Sequence, residues 1–119
     1  MMLPMKTKYG WVEIDGVRYD HDVIIHVDRK VTRREKKGSK KLKQKYGHTP
    51  LSGSELDLLT KEHPAVIYIG TGQFGDLPIA RDAELVLERY ETIVRKTPEL
   101  MDMLAEEKRP FVAVLHVKT

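Results

Sequence analysis

Ala65-Val66-Ile67-Tyr68-Ile69 runs directly into Gly70-Thr71-Gly72-Gln73-Phe74-Gly75. Five consecutive apolar residues suit a strand buried on both faces, the kind found where helices cover a sheet from each side. This run is expected at the centre of the sheet, with its glycines at the carboxyl end. Downstream, Ile79, Ala83, Val86, Leu87 and Tyr90 recur at helical spacing after Pro78, giving an amphipathic helix. Thr92-Ile93-Val94 reads as the next strand. In Thr97-Pro98-Glu99 a hydroxyl is placed to cap a helix, with proline at its first position and an acid in its first turn. Leu100, Met103 and Leu104 supply that helix with a buried stripe, and Phe111 to Val117 is a closing core strand.

Upstream, Ser52-Gly53-Ser54-Glu55 has the spacing of a capping box, and a short helix carrying Leu56, Leu58 and Leu59 should stop before His63-Pro64. Trp11-Val12-Glu13-Ile14 and Val17-Arg18-Tyr19 flank Asp15-Gly16, a pair suited to the positive φ angles of a type I′ turn, so they form a hairpin. Val23 to Val27 is a third strand, and only the few residues at the N-terminus are expected to lack fixed structure. Helix and strand alternate through the second half, which builds a parallel or mixed sheet. The fold class is therefore α/β: residues 1–119 form a single three-layer domain, with a mixed central sheet, helices packed on it and an N-terminal β-hairpin or meander.

Charge is distributed very unevenly. Arg29 to Tyr46 holds ten Lys or Arg residues against one acid, Glu35. Removing that +9 from the formal +3 of the whole chain leaves the remainder at −6. Residues 29–47 are thus read as an exposed basic segment on an acidic body. It lacks an apolar stripe, which argues against insertion into a membrane. Binding to nucleic acid is disfavoured, because Tyr46 is the one aromatic platform in the segment. What stays open is a solvated loop, a polyanion or an acidic protein partner.

The chain contains no cysteine, which excludes disulfides, thiolate nucleophiles and Cys-based metal sites. Apolar runs are far shorter than a bilayer span, and Met1 to Met5 show no secretory pattern, so a cytoplasmic location is expected. His21, His26, His48, His63 and His116 have no metal-ligand spacing, and no metal or cofactor is expected. His26 and His116 end apolar strands and would be neighbours if those strands are. Asp20-His21-Asp22 reads as turn chemistry. No serine has both a nucleophile elbow and a base, so catalytic residues are assigned to none, and an enzyme would have to draw on His116 or Asp76.

Gly70 to Gly75 formally matches the dinucleotide fingerprint G-x-G-x-x-G, but Pro78 postpones the helix, and Arg95-Lys96 stands where a ribose-binding acid is wanted. Two readings remain. One is a tight turn with packing glycines; the other is a small-anion or small-ligand site formed by Gly70, Gly72, Gln73 and Gly75, with His116 behind them.

Several short motifs occur together in order. They are Ile14-Asp15-Gly16, Tyr19-Asp20-His21-Asp22-Val23-Ile24-Ile25, Arg33-Arg34-Glu35-Lys36-Lys37, Lys45-Tyr46-Gly47, Ile69 to Gly75, Lys96-Thr97-Pro98-Glu99 and Leu115-His116-Val117. Over nearly its whole length the chain resembles the small domain-of-unknown-function family that includes archaeal and bacterial hypothetical proteins, the human adipogenesis-associated domain protein and a mitochondrial complex I assembly factor. The resemblance implies a three-layer α/β fold with a mixed central sheet, no established enzymatic activity, and assembly or regulatory roles. It points to Arg33, Arg34, Lys45, Gly70, Gly72, Gln73 and Gly75 as a shared surface, with His116 behind. The chain departs from the family after Tyr46-Gly47, where His48-Thr49-Pro50 replaces Thr-Ser-His, and at His116-Val117-Lys118-Thr119, which lacks the family cysteine.

The expected function is that of a non-enzymatic interaction or assembly factor, a monomer or homodimer. It would contact an unknown protein partner through Arg33, Arg34, Lys40, Lys41 and Lys45. The alternative is the small-anion site at the glycine loop.

Overall fold

The computed structural model describes residues 4–36 and 49–119. β1 (Met5–Lys8), β2 (Trp11–Ile14) and β3 (Val17–Tyr19) form an antiparallel meander. The β2–β3 turn places both Asp15 (φ 50°) and Gly16 (φ 82°) at positive φ, as the type I′ reading requires. β1 carries no strong strand signal of its own. It becomes a strand by pairing Met5 with Ile14 and Lys8 with Trp11, so the order expected to fail at the N-terminus extends to Met5.

β4 (Val23–Ile25), β5 (Val31–Arg33), β6 (Val66–Thr71), β7 (Thr92–Arg95) and β8 (Phe111–His116) make a second, mixed sheet in the order β5-β4-β8-β6-β7. β6 runs parallel to β7 and β8, while β4 is antiparallel to β8 and to β5. The central strand is therefore β8, and β6 lies one place away from the centre. Both strands are apolar and buried along their length, so burial alone does not separate them. β5 is a second correction: the basic segment opens with an edge strand, not a connector, because Val31-Thr32-Arg33 pairs with β4.

Alternation along the strands fills two cores. Val66, Tyr68, Phe111, Ala113, Leu115, Val23 and Ile25 face one side, where Val12 and Ile14 of the meander and Leu100, Met101 and Leu104 cover them. Ile67, Ile69, Val112, Val114 and Ile24 face the other side, under Leu51, Leu56, Leu59, Leu77, Ala83 and Leu87. Each fully buried Leu, Ile or Phe contributes about 1.5–3 kcal/mol relative to exposure. The covering helices are a 3₁₀ turn at Gly53–Leu56, α1 (Leu59–Glu62), α2 (Arg81–Leu87) and α3 (Thr97–Glu106). Three layers result. No helix among the described residues is long and apolar enough to cross a membrane.

Two helix starts are instructive. Glu55 accepts the Ser52 N–H at 3.1 Å, the reciprocal arm of a capping box. Thr97, in contrast, is not the cap of α3. Lys96 occupies that position, and the buried Thr97 hydroxyl donates to the His116 carbonyl (2.7 Å) while accepting the Gly72 N–H (3.0 Å). The residue read as a local cap instead joins α3 to β8 and to the end of β6.

Candidate functional site

The site grows from the way β5 ends. Arg33 is exposed, whereas Arg34 is only 3% exposed. The Arg34 N–H continues the ladder by donating to the Asp22 carbonyl at 2.9 Å, which fixes the backbone and sends the side chain inward. There the guanidinium donates to both Glu55 carboxylate oxygens (2.5 and 3.0 Å), to Asp22 Oδ2 (2.9 Å) and to the Pro50 carbonyl (3.0 Å). The planar fork of an arginine meets a carboxylate through two parallel bonds in a way that lysine does not. Arg34 is thus a buried structural ion, not part of an exposed binding surface, and that corrects its expected place on the partner face.

Asp22 is the other hub. Its Oδ2 also lies 3.1 Å from Lys36 Nζ and 2.8 Å from His116 Nδ1, and its Oδ1 accepts the Val117 N–H at 3.0 Å. Burial would raise the Asp22 pKa, but the His116 hydrogen bond and charge, the Val117 amide and Lys36 outweigh it, leaving the carboxyl well below the usual range. For Arg34, burial opposes the charge, and the carboxylates of Glu55 and Asp22 more than offset that, so its pKa rises.

A cavity of about 540 Å³ opens over this network, lined by Asp20, His21, Arg33, Glu35, Lys36, His116 and Lys118 as well as the two hubs. Its position is set by strand register. Val23 pairs with Leu115 and Thr71 with His116, so the start of β4, the end of β8 and the end of β6 meet at one sheet edge. His116 therefore does stand behind the glycine turn. His26 does not join it, because β4 and β8 are antiparallel and carry it to the opposite edge. There His26 lies 2.6 Å from Glu62 Oε2 and 2.7 Å from Thr32 Oγ1, tying β4 and β5 to α1.

The glycine turn is occupied by its own chain. Gln73 N–H donates to the Lys118 carbonyl (2.7 Å), and Phe74 and Asp76 N–H donate to the Thr119 carbonyl (3.3 and 2.8 Å). With Gly72 N–H on Thr97, these amides have partners that an anion would have to displace. A Cβ on Gly72 would lie 2.4 Å from the Thr119 carbonyl carbon, and one on Gly70 2.6 Å from Thr97 Oγ1. The glycines permit close packing of backbone and side chain, and the expected anion nest is filled from within. Gln73 Nε2 donates to Thr7 Oγ1 at 3.1 Å, and Gly75 lies under the Lys96 side chain.

Of the predicted partner-binding residues, Arg33 lies at the cavity mouth and Arg34 lies inside; Lys40, Lys41 and Lys45 lie outside the described residues. Sequence reasoning missed Asp22, Lys36 and Glu55 as a charge network. Asp22 looked like turn chemistry and Glu55 like a cap. Only the pairing of β4 with β8 places Asp22 beside His116, and no local signal carries that. Asp22 is engaged by four donors, and both His116 ring nitrogens have partners, Nε2 lying 3.0 Å from Thr119 Oγ1.

Fold and site together define a small three-layer α/β domain built round a buried Asp–Arg–Glu network. Among solved structures, the chain is similar to the conserved hypothetical protein PH1505 from Pyrococcus horikoshii OT3, with 31% identity, a TM-score of 0.84 and complete coverage of both chains. It is also similar to the protein MT938, with 30% identity and a TM-score of 0.80 over 98% of this chain and 99% of that one. The chain belongs to the family of these conserved hypothetical proteins. A Bordetella parapertussis protein shares the fold at 16% identity, with a TM-score of 0.65 over 98% of this chain and 97% of that one. No protein-family model and no curated protein matches the chain.

Proposed function

We propose that this protein is a non-enzymatic binding factor that meets an acidic protein partner through the basic segment and the cavity at its root. The observation that carries the reading is the division of labour between adjacent arginines. Arg34 is spent inside, holding the end of β5 to Asp22 and Glu55, while Arg33 is exposed and Lys36 borders the same cavity mouth. A fixed root puts Arg33 and Lys36 together at the cavity mouth, and the sequence continues from there with five more lysines up to Tyr46. Charge concentrated in that way steers encounter and selects partners more than it supplies affinity. The network beneath is fully hydrogen-bonded, and we read it as support for a binding surface. The motif resemblance to assembly and regulatory proteins supports the same reading.

The test is binding of a glutamate-rich peptide to the wild type and to the combined Arg33→Gln, Lys40→Gln, Lys41→Gln and Lys45→Gln variant. At about 0.3–1 kcal/mol per rim charge, affinity at low salt should fall by roughly tenfold or more. Equal affinity for the two proteins refutes the reading.

A further inference from the structure

We infer that Tyr9 and Phe74 are the apolar anchor of this interface, and that the partner segment they take is an acidic one with a single apolar side chain at its centre. The inference rests on the acidic-partner reading and extends it from charge to contact. Phe74 is 63% exposed and Tyr9 55% exposed, and their ring centroids lie 6.0 Å apart at an angle of 38°. The two rings touch and offer one joint apolar surface in water.

Hydrogen bonds hold that surface in place where burial does not. Tyr9-Gly10 is the two-residue link between β1 and β2, and the Gly10 N–H donates to the Val117 carbonyl at 2.8 Å. On the other side, Gln73 and Phe74 are bonded to the carbonyls of Lys118 and Thr119, and the Gln73 amide reaches back to Thr7. The hairpin tip and the glycine turn are thus clamped together through Val117 to Thr119. A platform fixed in advance loses little freedom on binding, and tyrosine is among the residues enriched in binding hot spots.

The surrounding charge selects the occupant. Lys8 adjoins Tyr9, the Lys96 side chain lies against Gly75, and Lys118 follows the strand end that clamps the turn. All three are exposed, and among the described residues none of their ammonium groups is in an ion pair. Asp76 is the acid beside them. Lys118 also lines the cavity that Arg33 and Lys36 border, where the acids Asp20, Asp22 and Glu35 lie among them, so the Val117 to Thr119 segment joins that cavity to the turn that carries Phe74. The ligand that fits is a peptide whose carboxylates flank a Trp, Phe or Leu. Rings packed on each other in this way present one shared face, not the successive stacking faces that a single nucleic-acid strand uses.

The experiment compares a glutamate-rich peptide carrying one central Trp with the same peptide carrying Ser there, on wild type and on the Tyr9→Ser, Phe74→Ser variant. Both replaced rings are exposed, and an unchanged urea midpoint verifies the fold. The Trp peptide should bind wild type at least tenfold more tightly than the Ser peptide, and that preference should vanish in the variant. If the two peptides bind wild type equally and the variant matches it, the anchor is overturned while the charge reading stands. If neither peptide binds at low salt, both readings fall. If oligothymidylate binds more tightly than the Trp peptide and loses affinity in the variant, the platform is a nucleic-acid surface and the proposal is overturned.

Discussion

The root of the basic segment and the glycine turn share one sheet edge, yet they use their most conspicuous residues in opposite ways. At the root, a charge that sequence places among nine other cations is drawn inside and neutralised by Asp22 and Glu55, while the adjacent Arg33 stays exposed. At the turn, amides and glycines that resemble a ligand cradle are consumed by the chain's own Thr97, Lys118 and Thr119. Neither residue type nor spacing reveals which outcome holds. The partners arrive from distant sequence, and they decide whether a polar group is offered outward or spent inside.

The sharpest way to break that contrast is to remove the buried ion. Arg34→Ala removes the buried cation that two buried carboxylates share and should cost about 3–5 kcal/mol in urea denaturation, whereas Arg33→Ala should stay within about 0.5 kcal/mol. Comparable losses at the two positions would mean that Arg34 is not the keystone. At the turn, Gly72→Ala meets the Thr119 backbone and sits at φ 100°, so a loss of about 2–3 kcal/mol is expected. Gly16→Ala, at φ 82° with open space around it, should lose only about 1–2 kcal/mol in the same assay.

Much of the architecture was legible because its signals are local. Asp15-Gly16 specifies a turn through backbone angles, and the Phe111 to Val117 run specifies burial through composition. β1 and β5 were not legible, since each is short, carries exposed polar residues and exists by pairing with a stronger neighbour. The site was less legible still. Arg34 meets Asp22 across 12 residues and Glu55 across 21, and nothing in its own neighbourhood distinguishes it from Arg33. The exposure of Tyr9 and Phe74 likewise depends on which face of the fold each reaches.

Acid sharpens the contrast by titrating the network directly. A carboxyl whose pKa is lower folded than unfolded stabilises the fold fully above its unfolded pKa of about 4, and that stability is lost as pH falls toward the folded value. Asp22 is such a group, and so is Glu107, held at about 2, chiefly by its hydrogen bonds from Arg109. The urea midpoint should therefore decline below about pH 4. In Asp22→Asn, which also starts less stable at neutral pH, that decline should be shallower but still present because Glu107 remains. An acid slope identical to wild type would show that Asp22 is not held down by its partners.

A small stability effect and the most direct functional one belong to the same variant. Arg33→Gln with Lys36→Gln removes two cations at the cavity mouth, one of them paired with Asp22, while sparing the other three donors to Asp22, Arg34 among them, and its stability should fall by no more than about 1 kcal/mol. Isothermal titration of a glutamate-rich peptide at low salt should show its affinity reduced several-fold, with a weaker salt dependence than wild type. Affinity and salt dependence equal to wild type would contradict the claim that the buried arginine fixes a cationic surface for an acidic partner.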